Sequence, residues 1–128
     1  MVKHLDREMK LVFSDRDPRR DLALAIEAAS DKKAENIVAL DLRGVATFTD
    51  YFLICSGTST RQVQAIAEAI LEKLEEHGMR PLHVEGETVA QWILIDYGDL
   101  VVHVFEQSAR EYYDLERLWR DAEKIPVP

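Results

Sequence analysis

Asp96 and Asp99 have the strongest claim to chemistry by residue type and spacing, three apart in Asp96-Tyr97-Gly98-Asp99. Convergent carboxylates hold magnesium in phosphoryl and nucleotidyl transfer. A magnesium-dependent nucleotidyltransferase-like enzyme using Asp96 and Asp99 is therefore the alternative reading. Two acids on a tight turn more often bond their own backbone, and no D-x-D or D-x-E pair follows closely after Gly57. Ser56-Gly57-Thr58-Ser59-Thr60 lies where a strand gives way to a helix N-terminus, which can hold an anion. It lacks the G-x-x-x-x-G-K-[ST] pattern of a phosphate loop, so it reads as a capped helix start. Cys55 ends an apolar strand, where cysteine is usually an inert small hydrophobe. His4, His77, His83 and His103 show no ligand spacing, and no G-x-S-x-G motif is present. The single cysteine excludes an intramolecular disulfide and a thiolate-rich zinc site. No catalytic residue, metal or cofactor is expected.

Trp92 and Tyr97 suggest recognition instead. Trp92 opens a strand, and Tyr97 sits in a hairpin turn, a position expected to be exposed. Aromatic side chains with a polar rim are typical interface anchors, and Glu85, Asp96 and Asp99 would supply that rim. For Trp92 a plain core role competes with this reading. Charge supports a located surface. Of the formal net charge of −8, residues 1–64 contribute nothing, with 10 acids against 10 bases. Residues 85–123 hold 10 acids against 3 bases (Arg110, Arg117, Arg120). Such a balance opposes a coat on nucleic acid and suits either a solvated surface or a docking face for a basic partner.

The elements that must position these residues follow from caps and periodicity. Asp17 then Pro18 is a helix start, an acid N-cap before proline at N1. Leu22, Ile26 and Ala29 give that helix one apolar face, ending near residues 31–33. Residues 36–42 read as a central strand and 51–55 as a second. Ser59 with Gln62 forms a capping box. Val63, Ile66, Ala67, Ile70, Leu71 and Leu74 then recur at helical spacing, with Gly78 as the residue after the cap. Residues 82–85 are extended, and 92–96 with 100–105 form a hairpin whose Gly98 takes positive φ. Ser108 with Glu111 is a second capping box, and Tyr112, Leu115 and Trp119 mark the buried stripe of one final helix.

A strand–helix–strand crossover followed by a hairpin implies a single α/β domain, a mixed sheet of about five strands flanked by helices. The 128 residues suffice for one core. The reading divides them into a polar leader at 1–17, a domain at 18–122 and a short tail at 123–128. The leader alternates charges without the apolar stretch of a secretory signal, and no apolar run approaches the roughly 20 residues of a membrane span. A cytoplasmic location is the simplest expectation.

Taken in order, several segments closely resemble one family. They are residues 31–37 (DKKAENI), Asp50-Tyr51-Phe52, Ser56-Gly57-Thr58-Ser59, Val84-Glu85-Gly86, Trp92, Asp96-Tyr97-Gly98-Asp99, residues 102–105 (VHVF) and residues 110–119 (REYYDLERLW). Together they resemble the ribosomal silencing factor, or Iojap, family over about residues 20–120. The resemblance implies a fold related to nucleotidyltransferases without their catalytic residues. It implies binding to the large ribosomal subunit through ribosomal protein L-fourteen, steric exclusion of the small subunit, and hence repression of translation. It further implies a role in large-subunit biogenesis for some members and a homodimer off the ribosome. The contact surface it implies comprises Trp92, Asp96, Tyr97, Gly98 and Asp99, with Glu85 placed by motif.

Overall fold

The computed structural model describes residues 17–128; apart from Asp17, the leader lies outside the described residues. Helix α1 spans Pro18–Asp31 and starts as its caps dictate. Asp17 accepts from the Arg19 amide at 3.1 Å, and Pro18 fills a position whose N–H would have no helical partner. Helix α2 spans Thr60–Glu76, with Ser59 accepting from the Gln62 amide at 3.1 Å. The reciprocal half of its cap is shifted by one residue: Gln62 Oε1 accepts from the amide and hydroxyl of Thr58, at 2.7 and 2.9 Å. Gln62 Nε2 also donates to the carbonyls of Lys32 and Lys33, pinning the end of α1 to the start of α2. His77 caps the helix and Gly78 follows at φ +83°, the left-handed step that a helix stop favours.

Six strands form one mixed sheet: β1 (Glu35–Asp41), β2 (Tyr51–Gly57), β3 (His83–Glu85), β4 (Trp92–Asp96), β5 (Leu100–Glu106) and β6 (Glu123–Ile125). Their spatial order is β3-β4-β5-β2-β1-β6. Only β2 and β5 run parallel, in the register Ile54 with His103; the other neighbours are antiparallel. The α/β architecture read from sequence is the one observed, with one strand more than the five counted there. That strand is β6, formed by residues assigned to the tail, and it pairs with β1. It leaves β1 an inner strand, as expected of a central one.

Alternation along the strands splits the sheet into two unlike faces. Tyr51, Leu53, Cys55, Ile93, Ile95, Val102 and Val104 lie under α1 and α2 with Leu22, Ile26, Val63, Ile66, Ile70 and Leu74. Each large apolar side chain buried there contributes about 1.5–3 kcal/mol. The opposite face carries Leu40, Phe52, Ile54, Val101 and Phe105, with Trp92, Leu94, Leu115 and Trp119 only partly covered. It is roofed at one end by two short helices, α3 (Gln107–Tyr113) and α4 (Leu115–Leu118).

Those two helices replace the single final helix expected. The N-cap is Glu106 rather than Ser108: its carboxylate accepts from the Ser108 amide at 3.1 Å and from the Ser108 hydroxyl. Asp114 breaks the helix in the left-handed region, φ 50° and ψ 51°. Leu115 and Trp119 still pack on the sheet, but Tyr112 leaves the expected stripe and is 82% exposed. Arg110 fixes the corner. Its guanidinium donates to both carboxylate oxygens of Glu116, at 3.0 and 3.1 Å, to the Asn36 carbonyl at 2.7 Å and to Ser56 Oγ at 2.8 Å. The Glu116 interaction spans the break, and a straight helix could not close it so far from i,i+4 spacing.

Candidate functional site

The sheet face away from α1 and α2 gathers the recognition-type residues. Trp92, Leu94 and Asp96 alternate onto it from β4, and cross-strand register brings His83 beside Asp96 and Glu85 beside Leu94. Of the six residues proposed from sequence, Trp92, Asp96 and Glu85 therefore share this face. Gly98 and Asp99 sit in the adjoining turn, where the Asp99 carbonyl accepts from the Asp50 and Tyr51 amides at 3.1 and 3.0 Å.

Tyr97 does not belong to the surface. It was expected to project from the turn, but it is 3% exposed and packs in the core beneath the helices. The cause is again alternation: Ile93, Ile95 and Tyr97 point to the helix side, and the turn only begins after them. Burial pushes its phenol up from the ordinary tyrosine value. Gly98 takes φ +90°, as the hairpin requires.

Asp96 acts mainly on its own turn. Its Oδ1 accepts from the Gly98 amide at 2.8 Å, and its Oδ2 faces His83 Nδ1 at 3.7 Å. Across the edge, His83 Nε2 lies 3.0 Å from Glu85. Among the described residues no cluster of three or more His, Cys, Asp or Glu has the spacing of a metal site. Cys55 is fully buried, and desolvation pushes its thiol up to about 12, which removes the thiolate that nucleophilic chemistry needs.

The face is a continuous aromatic surface. Trp92 stacks on Phe105 at 4.9 Å between centroids and meets Tyr113 at 4.7 Å; Tyr113 meets Tyr112 edge-on at 5.1 Å. Further along, Phe52 touches His103 edge-on at 4.5 Å and Trp119 at 6.0 Å, and Trp119 meets Phe48 at 5.6 Å. The outer members are open to solvent: Tyr113 is 52% exposed and Phe48 58%, with Leu118 at the end of α4 also exposed. Trp92 is partly buried, packed against the core on one side and meeting solvent on the other. Backbone packing fixes its position. Gly86 stands at φ +87°, and a Cβ there would lie 2.0 Å from the Trp92 carbonyl oxygen, so only glycine lets the chain cross β4 at that point.

Sequence reasoning missed Phe48, Phe52, Leu94, His103, Tyr112, Tyr113 and Trp119 as members of this face. The alternation of Trp92-Leu94-Asp96 with Val101-His103-Phe105 carried the signal for the strand residues. Nothing local marked Phe48, which sits in the loop between β1 and β2.

The sequence profile described as "Ribosomal silencing factor during starvation" matches residues 15–128. A relative from Bacillus subtilis (strain 168), named ribosomal silencing factor RsfS, is 50% identical over 101 residues, covering 79% of this chain and 86% of its own. A relative of the same name from Halalkalibacterium halodurans is 49% identical over 106 residues, covering 83% and 91%. A crystal structure of a protein from Chromobacterium violaceum superposes with a TM-score of 0.80 at 36% identity, covering 88% of this chain and 92% of that one.

Proposed function

The chain belongs to the ribosomal silencing factor family, and from that premise we propose that it represses translation by docking its open aromatic face on the large ribosomal subunit. The landing site is ribosomal protein L-fourteen, and the bound factor sterically prevents the small subunit from joining. One observation carries this reading: an apolar, half-covered sheet face lies beside a concentration of carboxylates. Trp92, Tyr113 and Phe48 supply large anchors of the kind that dominate interface energetics. Glu85 and Asp96 border the aromatic row, and the surrounding segment 85–123 is net −7. Ribosomal RNA repels such a surface, whereas a basic ribosomal protein complements it. No chemical step is needed, since occupancy itself is inhibition and its extent follows binding free energy.

Co-sedimentation with purified subunits, followed by a subunit-joining assay, tests the reading. Trp92→Ala and Tyr113→Ala are expected to stay folded and to weaken large-subunit binding about 30-fold each, the loss typical of a central anchor. Joining should recover in proportion. Wild-type binding by both folded variants would exclude this face as the docking surface.

A further inference from the structure

His103 lies under the aromatic row at 3% exposure, enclosed by Trp92, Phe52 and Phe105. It makes one hydrogen bond of consequence: Trp92 Nε1–H donates to its Nδ1 at 3.1 Å. An indole nitrogen only donates, so Nδ1 must be the acceptor and the neutral ring must carry its proton on Nε2. That Nε2–H is buried with no hydrogen-bond partner among the described residues. A buried donor left unmatched is unfavourable. Phenylalanine would fill the same space among these rings without that cost. Histidine gains one thing there, a fixed acceptor for the Trp92 indole.

The structure points to a positioning role, and we propose that His103 locks the Trp92 indole in its docking orientation by accepting its N–H. The proposal rests on the reading that this face docks on the ribosome. Trp92 is only partly buried, so part of its ring meets solvent. Without an acceptor beneath it, the indole N–H would seek water, and the ring would leave its stack on Phe105 and its contact with Tyr113. With the acceptor, the apolar edge of the ring stays outward and is already ordered before the partner arrives. Ordering an anchor in advance lowers the entropic cost of association. The acceptor is constant at neutral pH, because burial pushes the imidazole down to about 4.

Three substitutions separate the nitrogens. Asparagine places an acceptor near the Nδ1 position, glutamine places one near Nε2, and phenylalanine keeps ring volume with no acceptor. The Trp92 indole N–H is followed by nitrogen–proton NMR in the free protein, assigned with a Trp119→Phe background, and affinity by co-sedimentation with large subunits. The wild-type resonance should be shifted downfield and protected from exchange, with the His103 imidazole in the Nε2–H tautomer. His103→Asn should keep both the protected resonance and binding within about threefold. His103→Phe and His103→Gln should lose the protection and bind about tenfold more weakly. A wild-type indole that exchanges like a free one would overturn the lock, with no dependence on the ribosome or on any variant's folding. Full affinity in His103→Phe alongside weakened Trp92→Ala would overturn the positioning role while leaving the docking reading intact. Full affinity in Trp92→Ala would remove Trp92 from the docking surface and with it any role for His103 in docking.

Discussion

Tyr97 and Trp92 are five residues apart on one strand and its turn, and their fates differ because odd and even positions face opposite sides of the sheet. Tyr97→Ala removes a buried aromatic side chain and should cost about 3–5 kcal/mol of stability, read as a lower urea midpoint. Trp92→Ala should cost less stability and more affinity. Residue type alone could not separate the two, since both are large aromatics within four residues of Asp96. The distinction needed strand phase, which the alternation of Ile93 and Ile95 carried. His103 adds a pH signature. Its ordinary pKa of 6.5 falls to about 4 in the folded protein because burial disfavours the charged ring. Between those values the unfolded chain binds a proton that the folded chain does not. Stability from this group is therefore complete above about pH 6.5 and declines as pH falls toward 4, by up to about 3 kcal/mol. Replacing His103 with asparagine removes the titrating ring. The drop in denaturant midpoint between about pH 7 and about pH 4.5 should accordingly be smaller in the variant than in wild type.

At the scale of elements, α1 and α2 were legible because their stop and start signals are local: Asp17-Pro18, Ser59 with Gln62, and Gly78 each act within one turn. The elements that escaped are set by distant partners. Residues 123–125 contain two charged residues and precede Pro126, so they carry no strand pattern of their own; they are extended because β1 offers an edge to pair. The break at Asp114 was invisible for the same reason. Tyr112, Leu115 and Trp119 fit one helix by spacing, but Arg110 joins α3, α4, β2 and the start of β1 in a single set of hydrogen bonds. Its side chain is 11% exposed, so these charge-assisted bonds are largely sheltered from water. Arg110→Ala leaves Glu116 and the buried Ser56 hydroxyl without that partner and should cost about 2–3 kcal/mol. The same change frees the corner that carries Tyr112 and Tyr113. Hydrogen exchange should rise through residues 107–119 well before it rises in α2, whose caps and core contacts are untouched. Uniform exchange across both helices would mean that Arg110 supports the whole fold and not this corner.

The whole molecule explains why a charge excess counted along the chain becomes a charge excess in space. Strands β3, β4 and β5 are consecutive in sequence and adjacent at one side of the sheet, and α3 with α4 folds directly back over the open face. Most of the stretch 85–123 therefore stays near that side of the sheet on folding, and Glu85 and Asp96 border the aromatic row, while Glu123 lies in β6 at the opposite edge. The helices α1 and α2 seal the other face, so one side of the sheet is fully covered and the other stays partly open around a smaller core. This division assigns separate kinetic roles to charge and to ring surface. Long-range attraction accelerates encounter and is screened within about 8 Å at physiological salt. Stacked apolar anchors are desolvated on docking and govern departure. Raising salt from about 50 to about 300 mM should slow association with large subunits roughly tenfold or more while changing dissociation far less. Trp92→Ala should do the reverse, speeding dissociation with little change in the association rate. Stopped-flow mixing of labelled protein with large subunits measures both rates. An association rate indifferent to salt would remove the acidic border from the mechanism and leave the aromatic row to account for recognition alone.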